Sequence, residues 1–257
     1  MAKLKVLIWN ENEHEKIHEE VAKIYPLGIH GTLAKALNAD DLDISTATMD
    51  MPNQGITEES LEGVDVLVWW AHLLHHLVED RVVELINKRV NAGMGFVALH
   101  SAHHSRVFGR LMGTNCNLAW REAETGERVR VWCADPSHPI AKGVPLHIDI
   151  PADEMYGEPF NVPKPDDVVF INWYEGGEVF RGGCTWRRGR GRVFFFSPGH
   201  ETFPIYHNPE ITHVIGNGIR WVAEPHKDGH DLQNLHRPVP LEEGAPRQEF
   251  WAGRRVS

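Results

Sequence analysis

The chain has 257 residues, enough for one sizeable domain, and its hydrophobic (42%) and charged (24%) fractions are ordinary for a globular protein. A formal charge of -10 would be repelled by nucleic acid and by anionic membranes, so neither is expected as a partner, and the basic stretches "RRGRGR" and "RRVS" are too local to change this. No apolar run approaches the roughly 20 residues of a membrane span. The sequence enters a strand with no signal-like segment ahead of it, which predicts a cytoplasmic protein.

Residues 4–9, "LKVLIW", form a continuous apolar run of the kind found in strands buried on both faces. Residues 29–37, "IHGTLAKAL", have helical spacing, and "LDISTATM" alternates like an outer strand. "VDVLVWWAH" (64–72) is a second buried run. Residues 78–90 have an apolar helical face and stop before Asn91-Ala92-Gly93. "GFVALHS" (95–101) is a third buried strand. This alternation predicts an α/β fold: a flavodoxin-like three-layer sandwich with a mostly parallel sheet and right-handed crossovers.

Residues 112–178 are less regular. Pieces such as "VRVWCA" and "DVVFINWY" predict further strands between long loops that cover the site. "GRVFFFSPGHE" (191–201) returns to a buried strand and polar turn, and an amphipathic helix over 209–223 closes the domain. Residues 224–257 read as a polar arm outside the domain of 1–223. Its Phe250 and Trp251 need a surface to pack on, which predicts a homo-oligomer. The glycines of "EGGEVFRGG" precede no helix, so they predict hairpin turns and not a phosphate cradle; no nucleotide or flavin is expected. Glu84 and Lys88 are spaced to pair on a helix face.

Cys116, Cys133 and Cys184 are far apart and form no CxxC pair, which fits a reducing compartment and a packing role. The high counts are 17 histidines and 9 tryptophans. Histidine ligates metals and exchanges protons near neutral pH. Tryptophan lines pockets that are part apolar and part polar.

Ligands of open α/β sheets bind beyond the carboxyl ends of the strands. Four segments place polar residues there: Asn10-Glu11, His72, residues 100–105 and His200-Glu201. A strand-to-helix elbow needs small residues two positions either side of its apex. Centring on His100 puts Ala98 and Ala102 there, whereas centring on Ser101 puts Leu99 and His103 there. His100 is therefore the expected elbow residue, with Ser101 beside it. A lone histidine at such a place is ordinarily packing; histidines at several matching strand ends point to function. His75 and His76 read as helix surface. His30 begins a helix and is equally compatible with a site role and a structural one.

The chain resembles the ThuA-like (trehalose utilisation) proteins of the class I glutamine amidotransferase-like superfamily. The resemblance is carried by "WNE" with "YPLGIHGTLA", "VLVWWAH", "GMGFVALHSAHHSRVFGRLMGT", "CNLAWREA", "DEMYGEPF", "WYEGGEVFRGGCTWRRGRGRVFFFSPGHETFPIYHNP" and "GIRW", over about residues 4–223. It implies a glutamine amidotransferase-like fold. The superfamily's glutaminases use an elbow cysteine with a later histidine and glutamate. This chain has something like the later pair, His200 and Glu201, but carries His100 at the elbow, so thioester chemistry is not expected.

The resemblance further implies a sugar substrate, a disaccharide or its keto derivative, handled by a hydrolase, lyase or isomerase. His200, oriented by Glu201, is the expected acid/base, while His100 and Ser101 shape the elbow. A divalent cation, zinc or manganese, is the other expectation, with His72, His103 and His200 as its ligands. The two chemistries, metal-free and metal-assisted, are not separable by residue type. Asn10, Glu11, His30, His104, Trp120, Arg121, Glu154 and Tyr156 are the expected substrate contacts. Trp9, Trp69, Trp70 and Trp173 offer further faces, of which Trp69 reads as core. A glycosidase pair drawn from Glu154, Glu158 and Glu175 has no fixed separation. The competing class is a non-catalytic sugar-binding or regulatory protein on the same fold.

Overall fold

The computed structural model describes residues 3–224. The expected arm lies almost wholly outside the described residues.

Eleven strands are formed: β1 (Leu4–Asn10), β2 (Leu42–Thr48), β3 (Val66–Trp70), β4 (Gly95–Leu99), β5 (Ala119–Arg121), β6 (Glu127–Cys133), β7 (His147–Asp153), β8 (Met155–Gly157), β9 (Asp167–Tyr174), β10 (Val179–Arg188) and β11 (Gly191–Phe196). The helices are α1 (His14–Ile17), α2 (Glu19–Ile24), α3 (Gly28–Ala36), α4 (Asp80–Asn91), α5 (Arg106–Met112) and α6 (Pro209–Val222). Nine strands build one sheet in the order β2-β1-β3-β4-β11-β10-β9-β6-β7, and β5 pairs with β8 apart from it.

The sheet has two halves. From β2 to β11 every neighbouring pair is parallel. Their sequences explain this: β3 and β4 are buried at every position, as strands covered on both faces must be. From β11 through β7 every pair is antiparallel, joined by turns and not by helical crossovers. The stretch expected to hold strands and loops thus becomes an antiparallel extension of the same sheet. The β9–β10 connection is a hairpin, with Gly177 at φ +98° donating to the Tyr174 carbonyl.

Helices α3 and α6 pack together, and so do α4 and α5. Close approach of α6 depends on glycine: a Cβ at Gly218 would stand 2.5 Å from the Phe194 ring of β11. The side chains of β1, β3, β4 and β11 form the core, each fully buried aliphatic or aromatic residue contributing about 1.5–3 kcal/mol. Trp9 and Trp69 sit opposite each other on β1 and β3 and stack at 3.7 Å, both completely buried. Trp69 is core as expected; Trp9 and Trp70 are core as well, so none of the three offers a face to a ligand. Glu84 pairs with Arg110 and Lys88 with Glu58, across elements and not with each other.

Candidate functional site

The parallel strands end at one edge, and four segments meet there. The first is the elbow. His100 follows β4 in the left-handed region at φ +50°, a conformation costing a non-glycine residue about 1–3 kcal/mol. Ala98 and Ala102 are fully buried on either side, as the tight turn requires. The His100 ring is wholly buried. Its Nδ1 donates to the Ser197 carbonyl at 2.8 Å, which leaves Nε2 to face the Tyr156 hydroxyl at 3.2 Å and Glu154 Oε2 at 3.1 Å.

Glu154 and Tyr156 arrive from the β7–β8 corner of the antiparallel extension. Burial opposes charge on His100, but the Glu154 carboxylate against it, with Asp153 nearby, raises its pKa above the ordinary value. The same contact outweighs burial at Glu154 and lowers its pKa. The pair is therefore ionic: an imidazolium held against a carboxylate.

His200 follows β11. Burial pushes its pKa down to about 4, the nearby Glu201 charge only partly offsetting this, so the ring is neutral at pH 7. Its Nδ1 lies 2.7 Å from the Thr202 hydroxyl, and its Nε2 is buried with no hydrogen-bond partner. The His200 ring stands edge-on to His100, with centroids 5.5 Å apart, and to His72 at 5.3 Å. Together His72, His100, Glu154 and His200 offer donor atoms that all lie within 4.8 Å of one another. His72, with 24% of its side chain exposed, is the open side of this group.

Several expected contacts have other duties. Glu11 accepts from the backbone N–H groups of His72, Leu73 and Leu74 at 3.1, 2.8 and 2.7 Å, clamping the loop that carries His72. Asn10 is fully buried and bonded to Glu15, His30 and Asn12, which ties His30 to the end of β1. Ser101 donates to the Ala71 carbonyl. His103 turns away from the cluster: its Nδ1 meets the Cys116 carbonyl at 3.0 Å, and its ring packs edge-on to Phe160 and Phe195. It is not one of the converging donors. His104 is exposed, with its ring near His75, and the His75 nitrogens are buried, not on the surface.

On β5, Trp120 lies opposite Tyr156 and is 59% exposed, while Arg121 is held by Glu127 and Glu178. Next to them, Glu122 reaches within 3.9 Å of His200 Nε2. Trp173 and Glu175 belong to the β9–β10 hairpin, and Glu158 is engaged by Arg181. Of the three carboxylates considered for a glycosidase pair, only Glu154 joins the cluster.

Glu201 does not orient His200. Its Oε1 is 3.7 Å from His200 Nε2, but 3.0 Å from His14 Nε2 and 3.2 Å from His72 Nδ1. Three residues absent from the sequence-based set matter here. His14 stands four residues beyond the end of β1. Thr202 fixes the His200 ring. Buried Asp153 accepts from the backbone N–H groups of Gly199 and His200 at 3.2 and 3.1 Å.

The elbow of this α/β fold thus bears an imidazole, and none of the three cysteines belongs to the cluster. The sequence matches the ThuA family, described as trehalose utilisation, over residues 5–222, and the chain belongs to that family. A ThuA-like protein from Bacteroides uniformis is 19% identical, with TM-score 0.60 over 86% of this chain and 92% of its own. A ThuA-like protein from Parabacteroides merdae is 16% identical, with TM-score 0.61 over 91% and 93%. A glutamine amidotransferase from Thermotoga maritima shares the fold at 11% identity and TM-score 0.50, over 87% and 100%. No protein among those with curated descriptions matches the chain. No helix among the described residues is long and apolar enough to cross a membrane.

Proposed function

We propose that the chain is a cytoplasmic enzyme of carbohydrate utilisation that moves a proton on a disaccharide or its keto derivative, and that it is not a glutaminase. The observation that carries this reading is the convergence of three imidazoles and a carboxylate from separate segments. One of their polar atoms, His200 Nε2, is buried without a hydrogen-bond partner. Buried polar atoms are ordinarily satisfied, so an unpaired ring nitrogen among these groups marks a place for a polar ligand.

In this reading His200 is the base. In the tautomer that donates Nδ1–H to the Thr202 hydroxyl, Nε2 carries the lone pair and can take a proton from a carbon beside a carbonyl. The electrons of the broken C–H bond move onto the carbonyl oxygen, where the Tyr156 hydroxyl and the positively charged His100 oppose the developing charge. Environments that drive two neighbouring histidines in opposite directions make one a proton acceptor and the other a proton holder. Trp120, exposed beside Tyr156, supplies a face for a sugar ring. The family description, trehalose utilisation, matched over residues 5–222, supports the substrate class, and a cytoplasmic Salmonella typhimurium protein of similar fold (TM-score 0.54, 15% identical) supports the compartment.

The test is turnover of a keto-disaccharide by the wild-type chain and by His200→Ala. Loss of turnover with an unchanged thermal melt is expected. Binding of the sugar without any change to it in the wild type would replace the enzyme with a sugar-binding protein.

A further inference from the structure

We propose that His14, His72 and Glu201 form a binding site for one divalent cation of the zinc class, beside the imidazole cluster and open through His72. The proposal goes beyond the proton transfer above, which needs no cation.

The first argument is geometric. His14 Nε2, His72 Nδ1 and Glu201 Oε1 are mutually 3.0, 3.2 and 3.3 Å apart. The edge of a tetrahedron built on zinc bonds of roughly 2.1 Å is about 3.4 Å, so the three atoms approximate one triangular face of it. An ion at that bond length from all three sits about 1 Å out of their plane, leaving a fourth position free.

The second argument concerns protons. Hydrogen bonds alone cannot satisfy this triangle. If both ring nitrogens carry hydrogen, both donate to Glu201, and the two N–H dipoles oppose each other across 3.3 Å. If one nitrogen is bare, it can accept from the other, but its lone pair then faces the carboxylate oxygen. Every tautomer leaves one contact pairing like with like. A cation meeting three lone pairs removes the conflict at all three contacts.

The surroundings agree. His14 and Glu201 are 5% and 2% exposed. The second carboxylate oxygen, Glu201 Oε2, is buried and has no hydrogen-bond partner. His72 is fixed from behind by the Glu11 clamp on its loop, which aims the ring before any ion arrives. The expected ligand set of His72, His103 and His200 therefore keeps only His72.

The full-length chain, stripped with a chelator, is titrated with Zn2+ by calorimetry and with Co2+ by visible absorption. One equivalent of each is expected, with the intense visible band of four-coordinate cobalt. His14→Ala and Glu201→Gln should weaken zinc binding more than about 100-fold, beyond the 10–100-fold typical of losing a group behind a ligand. Glu154→Gln should leave it unchanged. Should a variant fail to fold, X-ray absorption on the zinc-loaded wild type decides, with two imidazoles expected in the ligand shell. No zinc uptake, wild-type affinity in folded His14→Ala, or three imidazoles on the metal would each overturn the site. Zinc binding without sugar turnover would keep the site and remove the enzyme; turnover by a chain that takes no zinc would do the reverse.

Discussion

Asp153 holds the backbone of His200: its carboxylate accepts the N–H of His200 at 3.1 Å and of the preceding Gly199 at 3.2 Å, from a fully buried position. Burial raises the Asp153 pKa to about 6 against those donors and the nearby His100 charge. The carboxylate is thus kept where it is costly in order to set one loop. Asp153→Ala should lower kcat about 100-fold, the effect of displacing a reacting group by about 1 Å, with KM little changed. A kinetic comparison at pH 7 checks this, and an unaltered kcat would remove the positioning role.

Thr202 acts on the same ring from the other side. Thr202→Val keeps the shape but takes away the oxygen 2.7 Å from His200 Nδ1. Only the backbone N–H of residue 202, 3.4 Å away, then faces Nδ1, which favours hydrogen on Nε2, and turnover should fall about tenfold, the equivalent of roughly 1.4 kcal/mol. The melting temperature should hold. Restored activity in Thr202→Ser would show that the hydroxyl, and not packing, is responsible.

The His100–Glu154 pair predicts a pH profile of stability. His100 has a pKa raised above 6.5, so its contribution is complete below 6.5 and is lost as pH rises through the folded value. Glu154 has one lowered below 4.5, so its contribution is complete above 4.5 and is lost as pH falls through the folded value. The difference in unfolding free energy between wild type and Glu154→Gln should therefore be greatest between pH 4.5 and 6.5. Its size should be on the order of 3 kcal/mol, as for breaking a buried ion pair. Urea unfolding across that range measures it, and a difference that does not vary with pH would refute the ionic pair.

Two tryptophans should separate folding from binding. Trp9→Ala empties a core position and should cost about 3–5 kcal/mol. Trp120→Ala, at a position 59% exposed, should leave stability within about 0.5 kcal/mol while weakening sugar binding about tenfold. Chemical denaturation and calorimetry with the sugar distinguish the two. Equal sugar affinity in wild type and Trp120→Ala would take the stacking face away from β5.

The parallel half was legible because its strands are continuous apolar runs, and the flanking alanines correctly singled out His100 as the elbow apex. Beyond the apex, spacing gave no direction: the short turn of 3-10 helix over His100–His104 sends His103 back onto Phe160 and Phe195 while His100 faces the cluster. Glu201 is adjacent to His200 in sequence, yet its side chain reaches His14 across the strand ends. His14 lies in a segment of four helical residues, too short for periodicity to flag. Asp153 ends a strand whose register is set by distant partners, which local pattern does not report. A histidine a few residues past a strand end, and an aspartate closing a strand, are the signals that would have found His14 and Asp153.

The corner between β7 and β8 delivers Asp153, Glu154 and Tyr156 to an edge otherwise built by the parallel strands. The candidate site is consequently assembled from two sources, imidazoles from the ends of the parallel strands and carboxylates from the β7–β8 corner. The parallel half supplies the buried runs and the elbow, while the antiparallel half decides what the elbow faces. Exchange of that corner alone would change what the elbow faces and leave the packing of β1, β3 and β4 on one another in place. Conversely, a transient opening of the extension would dissolve the reactive group while the molecule still scored as folded.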